Sequence, residues 1–382
     1  MRENAAPVGS SVGNISVSAT ATPAAATKRI AWVDYAKAVA ILGVFIMHSA
    51  APDSLSAVVS AYDMMVFFLL SGFVFSIRRY ASFPPFLWNK VRTLLIPGLF
   101  LSVVTFLIER LISVALGGER WSIGRYLTWF AGYAVNLRGR EGFGSIPWFL
   151  VCLFVIEIGG YVLLRVVTSL GLDGGRRFVA LILVSAVLLA LGWLYSAFVH
   201  VVLPWCGDVA LSMSGFFVVG VALRPYADRL HRALRAWAII PACALLIAAV
   251  WLDSRVFRGA VNPYMNDLGN PLCFVIGAFA GIWMVFALCR TIADCRPLDR
   301  VLGGLLAYWG RNTLVFYCIN APIYPWLIPW LLGFVGLDAT SADVGMRLAC
   351  ALGAILINLA ICTPCAEIMN RWLPGVLGRK RR

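Results

Sequence analysis

Residues 32–50 read WVDYAKAVAILGVFIMHSA. As a helix this apolar stretch is long enough to cross a hydrocarbon core about 30 Å thick, yet it holds Asp34, Lys37 and His48. An ionised side chain at the centre of a bilayer costs about 2.5–3.5 kcal/mol on insertion scales, so their spacing needs a reason. Lys37 and His48 are eleven positions apart. At 100° and about 1.5 Å per residue that is three turns plus about 20°, so the two side chains share a face about 16 Å apart along the axis. Asp34 precedes Lys37 by three positions, which allows a local ion pair that lowers the cost of burying the ammonium. Two readings stay open for the stripe itself. Either Lys37 snorkels to one surface and His48 rests at the other, or cation and imidazole serve one long ligand.

The rest of the chain says that this stretch is one span among many. Of 382 residues 61% are apolar and only 13% charged, against about 25% charged in a soluble domain. Ten apolar runs of helix-spanning length are read at 31–51, 57–77, 93–116, 147–168, 178–200, 206–224, 236–252, 270–290, 312–333 and 346–368, and their length points to helices rather than a barrel. The expected fold is therefore an all-α polytopic membrane protein with about ten transmembrane helices. The net charge of +14 is explained by basic residues in the loops of one side, among them Arg78, Arg79, Lys90, Arg92, Arg176, Arg177, Arg229 and Arg232. The alternate loops SAAPDSLSA, HVVLPWCGD and GLDATSADVG hold no Lys or Arg. By the positive-inside rule both termini are expected in the cytoplasm. No basic run interleaved with aromatics lies outside those loops, so no nucleic acid is expected as a partner.

The expected organisation is a disordered, small and polar cytoplasmic tail over 1–29, read without a cleaved signal peptide, one membrane domain over 30–370 and a basic cytoplasmic tail over 371–382 that ends GRKRR. Most of the ten cysteines fall in apolar runs, where a thiol behaves as a small hydrophobe. The CTPC at Cys362–Cys365 stands alone on an apolar segment, and no metal site is expected.

With this topology Lys37 lies near the inner end of the first span and His48 near its outer end. A coenzyme A thioester has the matching form, a phosphorylated head and a reactive tip. An imidazole with an unperturbed pKa of about 6.5 takes a proton from a hydroxyl near neutral pH. Asp63 lies six residues into the second span, at a depth close to that of His48, and is a candidate to orient the imidazole. Other candidates carry bland alternatives. Glu157 is a carboxylate inside a span, either a substrate-binding group or one that is met by a partner within the bundle. Trp148 is either an interface aromatic or a sugar-stacking surface. Asn262 and Asn270 flank an outer loop as candidates to bind substrate hydroxyls, where Asn270 equally serves as a helix cap before Pro271. The charged outer loops 117–146 and 253–269 are either solvated or a surface for an anionic or hydroxyl-rich molecule. His200 reads as an interfacial anchor and His231 as solvated.

At this point an ordered series of motifs resembles a known family. A basic residue, ten residues and then His (KAVAILGVFIMH, 37–48) is followed by DMMVFFLLSGFVFS (63–76), WNKVRTLLIPGLF (88–100) and IPWFLVCLFVIE (146–157). LPWCGDVALSMSGFFVVGVALRP (203–225), NPYMNDLGNPLCFVIGAFAGI (262–282) and YWGRNTLVFYCINAPIY (308–324) complete it. The series is similar to the membrane-bound acyltransferase family 3, in its branch similar to fucose 4-O-acetylases. The resemblance implies transfer of an acyl group, commonly acetyl, from acyl-CoA to a sugar hydroxyl of an exported or lipid-linked glycan, in the bacterial cytoplasmic membrane. It implies His48 as the essential catalytic residue, Lys37 as a contributor to donor binding, Asp34 as the acidic residue of the family's opening motif and Arg92 as a basic position at the cytoplasmic membrane surface, either a phosphate contact or a lipid-headgroup anchor. Two positions depart from it: Asn320 stands where the family frequently has His, and Asp63 where relatives often have His before Met. An Asn there still bonds a substrate hydroxyl but is no base. The competing class is a transporter of a glycolipid or small solute. Such a protein often shows two related halves with broken helices, and none is read here.

Overall fold

The computed structural model describes residues 30–115, 117–323 and 327–379, with the backbone alone over 321–323. The tail expected over 1–29 and the final residues 380–382 lie outside the described residues. From Ala31 onward the chain gathers into one compact unit. Its helices are α1 (Ala31–Met47), α2 (Asp53–Ser60), α3 (Asp63–Val74), α4 (Phe83–Lys90), α5 (Ile96–Ala115), α6 (Ile123–Val135), α7 (Trp148–Ser169), α8 (Gly174–Phe198) and α9 (Gly207–Leu223). There follow α10 (Ala227–Ala233), α11 (Ile239–Leu252), α12 (Pro271–Asp294), α13 (Arg296–Leu298), α14 (Gly304–Arg311), α15 (Thr313–Ile323), α16 (Leu327–Phe334) and α17 (Val344–Trp372). A two-stranded hairpin, β1 (Val261–Asn262) with β2 (Asp267–Leu268), interrupts them.

Among the described residues eight helical stretches are long and apolar enough to cross a bilayer: Asp53–Val74, Phe83–Ala115, Trp148–Ser169, Gly174–Phe198, Pro204–Ala233, Ala236–Phe257, Pro271–Asp294 and Val344–Trp372. The chain is thus an all-α polytopic membrane protein. The first expected span is a 17-residue helix, α1. The run expected over 312–333 is two shorter helices, α15 and α16, in a sequence that holds Pro322, Pro325 and Pro329, each lacking the N–H that helix continuation needs. The third span starts earlier than its apolar run: a first turn with Pro84 opens α4 at Phe83, and a π-helical segment Val91–Leu95 joins it to α5.

α1 is the central element. It packs against α3, α12 and α14 and meets α15 and α17, and Ala36, Ala38, Ala40, Ile41 and Phe45 along it are fully buried. Small residues set how closely its neighbours come. A Cβ on Gly72 would fall on the carbonyl oxygen of Phe217, and one on Gly220 on that of Leu69, so α3 and α9 cross backbone to backbone. Tyr35 closes one end of α1 by donating to Asp299 at 2.6 Å. At the other end Arg347 of α17 donates to the carbonyls of Ala50 (3.2 Å) and Ala51 (2.7 Å) and to Asp53 (2.7 Å), fixing the turn that follows His48.

The segment 117–146, read from sequence as a charged loop, contains the 13-residue helix α6, with Ser122 accepting from the Arg125 N–H at its start. Ile123 and Leu127 stand exposed on it.

Candidate functional site

Where α1 meets α2, α3, α5 and α7 the bundle forms a cavity of about 500 Å³. α1 contributes Val44, Met47 and the following His48, and α3 contributes Asp63 and Met64. The His48 backbone N–H still bonds Val44 at 3.1 Å, so the helical register runs one residue past α1 and carries the imidazole on the Val44 face. His48 Nδ1 lies 2.9 Å from the same carbonyl oxygen. A carbonyl can only accept, so Nδ1 carries the ring proton and Nε2 the basic lone pair.

Asp63 is 3% exposed and lines the same cavity. Its carboxylate accepts from the Met64 N–H at 2.6 Å. Among the described residues no hydrogen bond joins it to His48, whose ring is oriented by the Val44 carbonyl.

The remaining walls carry several hydroxyls and one side-chain amide. Ser60 comes from α2, Ser102 and Thr105 from α5, Trp148 from the start of α7, Asn262 and Tyr264 from the hairpin, and Tyr317 from α15. Ser102 shares a hydrogen bond of 2.9 Å with Tyr133 and donates to the Ser145 carbonyl at 3.0 Å. Trp148 and Tyr264 stand edge to face, ring centres 6.1 Å apart. Burial pushes the Tyr264 phenol above its ordinary value, so it stays a donor at neutral pH.

The hairpin is held over the cavity by a buried clamp. Arg138 donates to both oxygens of Asp208, at 2.6 and 2.5 Å, and its Nε donates to the Tyr264 carbonyl at 2.5 Å. Arg138 was expected among the charges of an outer loop; it is instead 6% exposed and committed to Asp208, itself 1% exposed. No separate signal in the sequence pairs these two residues, which lie 70 positions apart.

Other expected residues have different places. Glu157 is not among the cavity's lining: it forms a buried ion pair with Lys90 at 2.9 Å. Lys90, counted from sequence as a loop charge, is therefore inside the bundle, with its ammonium facing the rings of Phe75 and Phe86. Asn270 caps α12, accepting from the N–H groups of Leu272 and Cys273. Asn320 is fully buried away from the cavity and donates to Asn358 at 2.8 Å, tying α15 to α17. Arg92 lines a separate cavity of about 470 Å³ with Trp372, Pro374, Val376 and Arg379. Lys37 is half-buried and Asp34 buried, and neither lines the cavity at His48, whose α1 wall stops at Val44. Sequence alone does not disclose Ser60, Ser102, Thr105 and Tyr317, because single hydroxyls in apolar runs carry no periodic signal, nor Tyr264, one polar residue in a charged loop. Among the described residues no group of three or more His, Cys, Asp or Glu side chains converges as a metal would need.

A family model described as an acyltransferase domain, acyltransferase family 3, matches residues 30–367. Comparison with curated proteins and with solved structures gave no match.

Proposed function

Because this chain belongs to the acyltransferase family whose model spans residues 30–367, we propose that it moves an acyl group, acetyl in the first instance, from acyl-CoA to a sugar hydroxyl of an exported or lipid-linked bacterial polysaccharide. The observation that carries this reading is His48. It lines a cavity furnished with serine, threonine, asparagine and tyrosine groups, and its Nδ1 is held by Val44 so that Nε2 is the basic nitrogen. Nε2 takes the proton of the acceptor hydroxyl as its oxygen attacks the thioester carbonyl. The tetrahedral adduct then collapses with cleavage of the C–S bond, and the imidazolium returns the proton to the departing CoA thiolate. Asp63, on the same cavity, favours the imidazolium in its ionised form. Trp148 offers an aromatic face to the sugar. Holding donor and acceptor together in one enclosed site supplies much of the rate.

On this reading the donor enters from the cytoplasm. Lys37 and Arg92 meet its phosphates, and Asp34 steadies Lys37. Counting α1 and the α15–α16 pair with the eight long stretches gives ten crossings of the bacterial inner membrane, both termini cytoplasmic. The test uses purified protein in detergent with labelled acetyl-CoA and glycan from the host cell envelope. Label in the glycan with wild type and none with His48→Ala is the expected result. Equal labelling by a folded His48→Ala protein removes His48 from the reaction, and no labelling by wild type removes acyl transfer to glycan.

A further inference from the structure

Beside the cavity at His48 lies a second one of about 260 Å³, and Ser102 and Thr105 of α5 line both. The two are therefore adjoining compartments with a shared wall. Along α5, Ser102, Thr105, Phe106 and Glu109 fall at i, i+3, i+4 and i+7, one face of the helix, and they span about 10 Å of its length. Phe106, Glu109 and Arg110 lie in the second compartment with Trp121 and Trp129. The stripe thus leads from the reacting histidine away along α5 toward the segment that carries α6.

The lining has the chemistry of a carbohydrate subsite. Trp129 stacks flat on Phe106, ring centres 3.6 Å apart, and Trp121 stands tilted to Phe106 at 5.6 Å. Broad aromatic faces meet the C–H faces of a sugar ring, and a few convergent polar groups fix its orientation. Those groups are present with opposite charges, a Glu109 carboxylate and an Arg110 guanidinium. The guanidinium stands 4.8 Å from the Trp121 ring, and its Nε is buried with no hydrogen-bond partner among the described residues. A buried donor without a partner is uncommon and points to a group absent from the protein itself. A carboxylate in the wall disfavours a polyanion, whereas a neutral polyol satisfies both charges.

Resting on the acyl-transfer reading above, we propose that this compartment binds the sugar next to the one being acylated, so that the acceptor is recognised as an oligosaccharide rather than as a single sugar. The protein reads a stretch of glycan lying along α5, with one ring at His48 and its neighbour against Trp121 and Trp129.

The test uses full-length protein in detergent, labelled acetyl-CoA, and size-fractionated oligosaccharides released by mild acid from the host envelope, from the single sugar upward. Wild-type kcat/KM is expected to rise about tenfold from the single sugar to the longer acceptors, mostly through KM. Trp121→Ala and Glu109→Gln should each abolish that rise. Calorimetric titration with the same oligosaccharides without donor should show the same preference for length, weakened in both variants. Glu109→Gln is nearly isosteric and sits at an exposed position, so it carries the test if Trp121→Ala fails to fold. A wild type indifferent to length, or both folded variants keeping its preference, overturns the subsite while leaving acyl transfer standing. Absence of transfer to every acceptor, with length-dependent binding retained, overturns the acyl-transfer reading instead. Binding by anionic lipid vesicles in place of oligosaccharide assigns the compartment to headgroups and ends the proposal.

Discussion

His48 and Val44 are joined twice: the histidine's backbone N–H and its ring Nδ1 both reach the Val44 carbonyl, at 3.1 and 2.9 Å. One backbone oxygen thus sets the register of the last turn and the tautomer of the imidazole. On the proposed reading the imidazole is the general base, a role that contributes about 10²–10⁴-fold to a rate. His48→Asn keeps an amide able to bond the Val44 carbonyl yet has no basic nitrogen near neutrality. It should therefore lose transfer as completely as His48→Ala while melting at the wild-type temperature. A folded Asn variant with a rate within tenfold of wild type would show that the imidazole is not the base.

The clamp of Arg138 on Asp208 and the Tyr264 carbonyl makes a second claim open to test. Removing one member of a buried ion pair leaves the other charge without compensation, at a cost of about 3–5 kcal/mol. Arg138→Ala should lower the melting temperature in detergent clearly. Arg138→Lys should lower it too, because an ammonium cannot make the three-way contact of the planar guanidinium. Both variants should also weaken transfer by releasing the hairpin that brings Asn262 and Tyr264 to the cavity. Thermal melts superimposable on wild type for both would mean that the hairpin is held by something else.

What the sequence discloses and what it conceals divide along a physical line. The stripe from Lys37 to His48 is legible because a helix repeats in space as it repeats in sequence, and long apolar runs announce α7, α8 and α12 for the same reason. α6 is concealed because its 13 residues are flanked by Glu119 and Arg120 and contain Arg125, so charge masks a short amphipathic pattern. The cavity's hydroxyl wall is concealed more deeply. Ser60, Ser102 and Tyr317 come from separate elements and only tertiary contact unites them. Burial also reverses roles: Glu157 invites a substrate reading in a span, and Lys90 invites a surface reading in a basic loop, until their pairing accounts for both.

That pairing yields a third prediction. Glu157→Leu alone strands the Lys90 ammonium among Phe75 and Phe86 and should destabilise by about 3–5 kcal/mol. The double variant Lys90→Met with Glu157→Leu replaces both charges by apolar groups and should regain most of the lost stability, a coupling that a double-mutant cycle measures. It should also keep acyl transfer near the wild-type rate, since neither residue lines the cavity at His48. A stable double variant without activity would return Glu157 to the chemistry.

The crossing of α3 over α9 sets where Asp63 and Met64 stand, because both lie on α3 and reach the cavity from it. Its closeness rests on Gly72 and Gly220, whose added Cβ atoms would each strike a backbone oxygen of the opposite helix. A side chain in the way could rotate aside; a helical carbonyl cannot, so the helices must separate. Gly220→Ala is therefore expected at or beyond the upper end of the 1–3 kcal/mol typical of overpacking. Gly304→Ala, at the start of α14 where an added Cβ meets nothing within 4 Å, should be neutral or slightly stabilising. Melting temperature and the monodisperse fraction on size exclusion check both, with the Gly220 variant also losing transfer as Asp63 shifts away from His48. Equal stability of the two variants would mean that α3 and α9 do not cross at backbone contact, and the cavity geometry derived from that crossing would fall with it.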